Sequence, residues 1–161
     1  MSKRKRIKKV LLIEPNYANK YPPIALMKLA TYYKNLDGWE VTFFKGDLKL
    51  FVIERIADRC IDEFNQIDSS IDWYLKRDSI IEFILTKKNN IIDEIGFERS
   101  DMELLLHDKL IQWKDYYAKG IWKKNPEFDR VGITTLFTFY WKITIETIEF
   151  AKYLVKDIKD L

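Results

Sequence analysis

Six side chains in two short segments carry the groups through which this chain could hold a ligand. Asn16, Tyr17 and Tyr21 follow a β-branched and leucine run, Val10 to Ile13, and Thr134, Thr135 and Thr138 follow a second such run that contains Val131 and Ile133. An amide and two phenol rings suit a flat ligand with an amide rim, and three hydroxyls can bond phosphate or amide groups. The same residues have an ordinary local use: asparagine bonds its own turn, tyrosines pack, and threonines satisfy neighbouring backbone. Neither use is catalytic, and no catalytic or metal-ligating residue is assigned.

The remaining reactive types are few. Cys60 is the only cysteine, which excludes an internal disulfide framework, a multi-cysteine zinc site and the CxxxCxxC arrangement of an iron–sulfur cluster. It falls on an apolar helical stripe and reads as an inert buried thiol. His107, the single histidine, stands in Glu103-Leu104-Leu105-Leu106-His107-Asp108-Lys109, where it reads as a surface or satisfied core residue. Asp47 closes a second strand, the place where nucleotide-binding folds hold a ribose hydroxyl. The first turn lacks a G-x-G-x-x-G fingerprint, however, since Gly38, Gly46, Gly96, Gly120 and Gly132 all lie elsewhere, so Asp47 reads as a turn or cap residue. The aromatic group Phe137, Phe139, Tyr140 and Trp141, with Trp113, Tyr116, Tyr117 and Trp122, has the rings of a base-stacking platform. It lacks interleaved basic residues beyond the small patch Lys119, Lys123 and Lys124, so packing is expected and nucleic acid is not the expected partner.

The elements that would position these groups follow from hydrophobic spacing. Val10 to Ile13 is continuous and apolar and stops at Glu14-Pro15-Asn16, the pattern of a fully buried parallel strand. Pro22-Pro23 opens a helix carried by Ile24, Met27, Leu29, Ala30, Tyr33 and Leu36 and stopped at Gly38; Glu40 to Phe44 is a second strand closed by Gly46-Asp47. Strand, helix and strand in about 35 residues make a βαβ unit with a right-handed crossover. Helical periodicity then runs from Leu48 to Gly120, with a break near Asp68 to Asp72 and a cap at Ser100. Arg130 to Thr135 is a third strand, and Tyr140 to Lys156 a helix carrying Trp141, Ile145, Ile148, Leu154 and Val155. The expected fold is α/β: a partial Rossmann-like, flavodoxin-like parallel sheet of about three strands with a large helical insertion. One domain, 1–161, would comprise the strand-helix-strand unit 8–47, the insertion 48–124, and the third strand and helix at 128–158. In such sheets ligands bind beyond the carboxyl ends of the strands, where strand order reverses, which here is between the loops Glu14 to Pro23 and Thr134 to Thr138.

Composition agrees with one soluble globular body. Of the 161 residues 47% are apolar, and 28 basic residues against 25 acidic ones leave a net charge of +3, too balanced for a strongly polyanion-directed surface. No apolar run approaches the ~20 residues of a membrane span. Lys3, Arg4, Lys5, Arg6, Lys8 and Lys9 lead directly into the first strand without a signal-peptide core, so a cytoplasmic location is expected and the basic tail reads as solvated.

The segment KKVLLIEPNYANKYPPIALMKLATYYKNLDGWEVTFFKGD, Lys8 to Asp47, resembles the opening of the cobalamin-binding-type domain found at the N-terminus of many radical SAM enzymes. FDRVGITTLFTFYWKITIETIEFAKYLVK, Phe128 to Lys156, is similar to the third strand and helix of those domains; together the two segments cover 69 of the 161 residues. The resemblance implies cobalamin as cofactor, held by Asn16, Tyr17, Tyr21, Thr134, Thr135 and Thr138, and a radical SAM catalytic domain or protein as partner. The chain departs from the family in lacking D-x-H-x-x-G, the fourth and fifth strands and CxxxCxxC. It therefore reads as a truncated or split N-terminal piece, not catalytic alone, with an edge at the third strand that a homodimer or its own insertion would cover. Two other readings stay open: a related α/β domain without cobalamin, and a stand-alone interaction module that binds a protein or nucleic acid partner through the insertion and basic N-terminus.

Overall fold

The computed structural model describes residues 6–18, 22–86, 88, 91–92, 100–135 and 140–161. In chain order its elements are β1 (Lys8–Pro15), α1 (Ile24–Lys34), β2 (Trp39–Gly46), α2 (Leu48–Ile67), α3 (Arg77–Thr86), α4 (Ser100–Ala118), β3 (Arg130–Ile133) and α5 (Trp141–Ala151). The fold is mixed α/β, with an open parallel sheet of order β2-β1-β3, the expected Rossmann-like arrangement. The chain divides into two compact units, residues 1–51 with 123–161, and residues 52–122.

In the first unit β1 is the central strand. It pairs in parallel along its whole length with β2, from Lys8 beside Trp39 to Pro15 beside Gly46, and from Val10 to Ile13 with β3. Every residue from Val10 to Pro15 is buried, which explains why Val10 to Ile13 are continuously apolar instead of alternating. Val10 and Leu12 meet Leu26, Ala30, Tyr33 and Leu36 of α1 and the turn that follows it. The buried helix stripe therefore runs at 26, 30 and 33. Ile24, Met27 and Leu29, which the spacing also offered as core positions, stand exposed. A helix lying on two strands buries only the narrow row facing the sheet. Gly38, at φ 82°, makes the left-handed turn after α1, and its carbonyl accepts the Lys8 N–H at 2.7 Å.

One helix boundary differs from the sequence reading. The helix expected over Tyr140 to Lys156 ends at Ala151, and Leu154 and Val155 leave it to return to the sheet. Phe128 N–H donates to the Leu154 carbonyl at 3.1 Å, and Lys156 N–H to the Phe128 carbonyl at 2.9 Å, so Val155 forms a parallel bridge beside Phe128. Burial of Leu154 and Val155 is gained in an extended conformation that β-branched Val155 favours.

The amino end of the sheet is pinned by Asp129. Its carboxylate accepts from the Lys9 N–H, from Arg6 and from Lys156, each at 2.9 Å. Beside it Arg130 donates to the Tyr33 hydroxyl at 2.9 Å, pairs with Asp160 at 3.2 Å and lies 5.7 Å from the centre of the Trp39 ring.

The second unit is helical. Trp73 is fully buried, edge-on to Phe64 at 4.8 Å, with its indole N–H on the Asp68 carbonyl at 2.7 Å. Asp72 caps the short 3-10 turn Trp73–Lys76 by accepting the Tyr74 N–H, and this is the break expected near Asp68 to Asp72. Arg77 ties α3 to α2 through Asp58 at 2.7 Å, and Trp113 of α4 donates to Glu63 at 3.2 Å. Cys60 is buried, and that burial, aided by the Glu63 carboxylate, pushes its thiol well up; no thiolate forms near neutral pH.

Burial alone would raise the Asp129 carboxyl, but the Lys9 N–H, Lys156 and Arg6 outweigh it and hold it below its ordinary value. A carboxyl depressed in this way contributes stability that is complete above the unfolded value of about 4 and is lost as pH falls through the folded value. Asp129→Asn is expected to lower stability at pH 7 by about 1 kcal/mol, with the gap from the native chain closing as pH falls through the depressed folded value. Urea denaturation across that range checks it, and a gap that persists in acid would contradict the assignment.

Candidate functional site

At the carboxyl end of the sheet β1 turns over Pro15, whose carbonyl accepts the Tyr17 N–H at 2.6 Å. Tyr17 then runs inward. It is buried, its hydroxyl shares a 2.5 Å hydrogen bond with the Thr144 hydroxyl and donates to the Thr134 carbonyl at 3.2 Å, and its ring lies 5.1 Å from that of Tyr140. Thr134 in turn donates its N–H to the Ile13 carbonyl at 3.0 Å. The loops after β1 and β3 are thus joined to each other and to the start of α5 through one phenol.

The end of β2 is shaped by Gly46, whose φ of +135° is open to glycine and strained for any L side chain. Asp47 follows as the cap of α2: its Oδ1 accepts the Lys49 N–H at 2.8 Å. Between this turn, Asn16 and one face of α5 lies a cleft of about 540 Å³, walled by Asp47, Lys49, Glu146, Phe150 and Tyr153 among others. Its size is that of a small-molecule site; it lies beyond the carboxyl ends of β1 and β2 and against α5, not in the crevice expected between the loops after β1 and β3, where the strand order reverses. Carboxylates of Asp47 and Glu146 can accept from hydroxyl or amide donors, Lys49 can meet an acceptor or anion, and Phe150 and Tyr153 supply apolar wall.

Of the residues singled out from sequence, Asn16 is exposed and lines this cleft. Tyr17 is committed to the clamp, and Thr134 and Thr135 are half-buried on the β3 side, away from the cleft lining. Tyr21 and Thr138 lie outside the described residues, as do Phe137 and Phe139. Trp141, expected to pack, is 62% exposed. Among the described residues no group of three His, Cys, Asp or Glu side chains could hold a metal, and no helix is long and apolar enough to cross a membrane.

Sequence reasoning passed over two residues. Asp47 was read only as a cap, although it is also cleft wall. Glu14 was read only as a strand stop. It is 1% exposed at the end of the central strand, with Oε1 3.3 Å from the Lys45 ammonium and Oε2 without a hydrogen-bond partner among the described residues. The legible signal was a carboxylate ending an apolar run ahead of a proline, where a buried strand ordinarily carries no charge.

Removing the clamp hydroxyl in Tyr17→Phe leaves the Thr134 carbonyl and Thr144 short of a partner and is expected to cost about 1–2 kcal/mol of stability. Chemical denaturation measures it; unchanged stability would mean that the two loops are held together by other contacts.

Compared with models of protein families, with curated proteins and with solved structures, the chain matches none.

Proposed function

We propose that this chain is a cobalamin-binding-like domain of a radical SAM protein, which assists cofactor or substrate binding and works beside a catalytic domain that carries the cysteine cluster. The observation that supports it most is the parallel β2-β1-β3 sheet with a cleft at the carboxyl ends of β1 and β2. The two segments that carry the resemblance form this sheet and its two flanking helices.

The residues at that end suit the periphery of a corrinoid. Asn16 and the hydroxyls of Thr134 and Thr135 offer donors and acceptors for side-chain amides, and the buried Glu14 Oε2 lacks a donor among the described residues. The loops themselves contain no histidine, so on this reading the chain supplies no imidazole to cobalt. Bound cobalamin would bring methyl-transfer or electron-transfer chemistry at its metal; the protein residues bind and orient it.

A second reading, a module that binds a macromolecular partner, draws on residues 52–122 forming a compact unit in which Tyr74, Leu75, Leu104 and Leu105 are exposed. Tight association with an oligonucleotide that weakens steeply with salt would favour it.

The first reading is tested by titrating the protein with hydroxocobalamin and following the visible corrin spectrum. A saturable perturbation is expected, weakened about tenfold or more in the double variant Asn16→Ala with Thr135→Ala. A spectrum unchanged by folded protein at every concentration would overturn it.

A further inference from the structure

Glu14 carries an unexplained energetic cost. A buried polar atom without a partner is destabilising, and buried carboxylates more so than most groups; among the described residues Oε2 of Glu14 is such an atom. The only side-chain hydrogen bond of Glu14 within the described residues is the 3.3 Å contact of Oε1 with Lys45, whose side chain is itself 44% exposed. One half-hydrated ammonium at that distance leaves half of the carboxylate uncompensated.

The position of the residue gives the cost a use. β1 alternates, so Glu14 continues the row of Val10 and Leu12, the row that faces α1. Tyr33, near the end of α1, packs on Trp39 at 4.9 Å, and Trp39 pairs with Lys8 at the amino end of the sheet. The start of α1 therefore lies toward the carboxyl end, on the side of Glu14. That helix start has Pro23 at its cap position, no side-chain cap and no acidic residue in its first turn, so its first N–H groups have no side-chain acceptor. The Ile24 N–H is taken by the Pro22 carbonyl at 2.9 Å and the Met27 N–H by the Pro23 carbonyl at 3.0 Å, so this end of the face presents an acceptor without a donor among the described residues and, at Ala25 and Leu26, N–H groups without a side-chain cap.

We propose that Glu14 is a ligand-binding residue whose Oε2 accepts an N–H from a neutral amide of the bound molecule, the amide carbonyl facing the first turn of α1. A primary amide carries both complementary groups on one carbon, and being neutral it leaves the Glu14–Lys45 pair in balance. The inference rests on the corrinoid reading only for its probe: hydroxocobalamin carries such amides around its ring.

Two measurements on the full chain test it together. Hydroxocobalamin titration should show binding weakened at least tenfold in Glu14→Gln, which turns an acceptor oxygen into a competing donor, and abolished in Glu14→Leu. Thermal unfolding without ligand should show Glu14→Leu melting about 3 °C or more above the native chain, because the unpartnered oxygen is gone and Lys45 can hydrate. A Glu14→Leu protein that binds like the native chain, or that melts below it, overturns the proposal. If the native chain leaves the corrin spectrum unchanged, the corrinoid reading fails by itself and the melting comparison decides: a rise still supports a carboxylate held for an amide ligand of another kind, and a fall makes Glu14 a structural residue.

Discussion

The first compact unit depends on one constraint: β1 is paired on both edges and covered on both faces. A strand in that position has all its backbone groups inside the sheet, so its side chains must be apolar on both sides, and Val10 to Ile13 meet that requirement. The rest follows from it. Parallel neighbours on either side require crossover segments, supplied by α1 on one path and by the long helical excursion of residues 48–124 on the other. The pin at Asp129 holds the amino end of the sheet, where Lys9, Arg6 and Lys156 converge, and leaves the carboxyl end to the loops.

At that carboxyl end the chain does two opposed things. Tyr17 satisfies the loop backbone and draws the loops after β1 and β3 onto α5, a stabilising arrangement. Glu14, three residues earlier, is buried with an oxygen that no described residue answers, a destabilising arrangement. Structures place uncompensated groups at functional positions more readily than elsewhere, since a partner brought by a ligand repairs the cost. The cleft beside Asn16 and Asp47 and the buried acid on the α1 side make this end of the sheet polar while its amino end is closed by ion pairs.

Much of the architecture was legible because it is written in spacing. The continuous run of β1, the Pro22-Pro23 helix start, Gly38 as a left-handed stop and the break near Asp68 each have a local physical cause, and each stands where expected. What was not legible depended on distant partners. Leu154 and Val155 continue a helical pattern, and only Phe128, brought alongside by the sheet, draws them out of it. Ile24 and Met27 share the periodicity of the core row without facing it. Tyr17 has the chemistry of a ligand contact, and nothing local tells that its hydroxyl is taken by Thr144 and Thr134, more than 110 residues away. Glu14 was hidden for the same reason, because its register partner Lys45 comes from β2.

The central claim is that ligands meet this chain at the carboxyl end of its parallel sheet. Amide chemical-shift mapping by two-dimensional NMR during a hydroxocobalamin titration tests it most directly. The account requires the largest shifts at residues 14–18, 46–49 and 134–135; shifts confined to residues 52–122, or to the amino end around Lys9, Asp129 and Arg130, would contradict it.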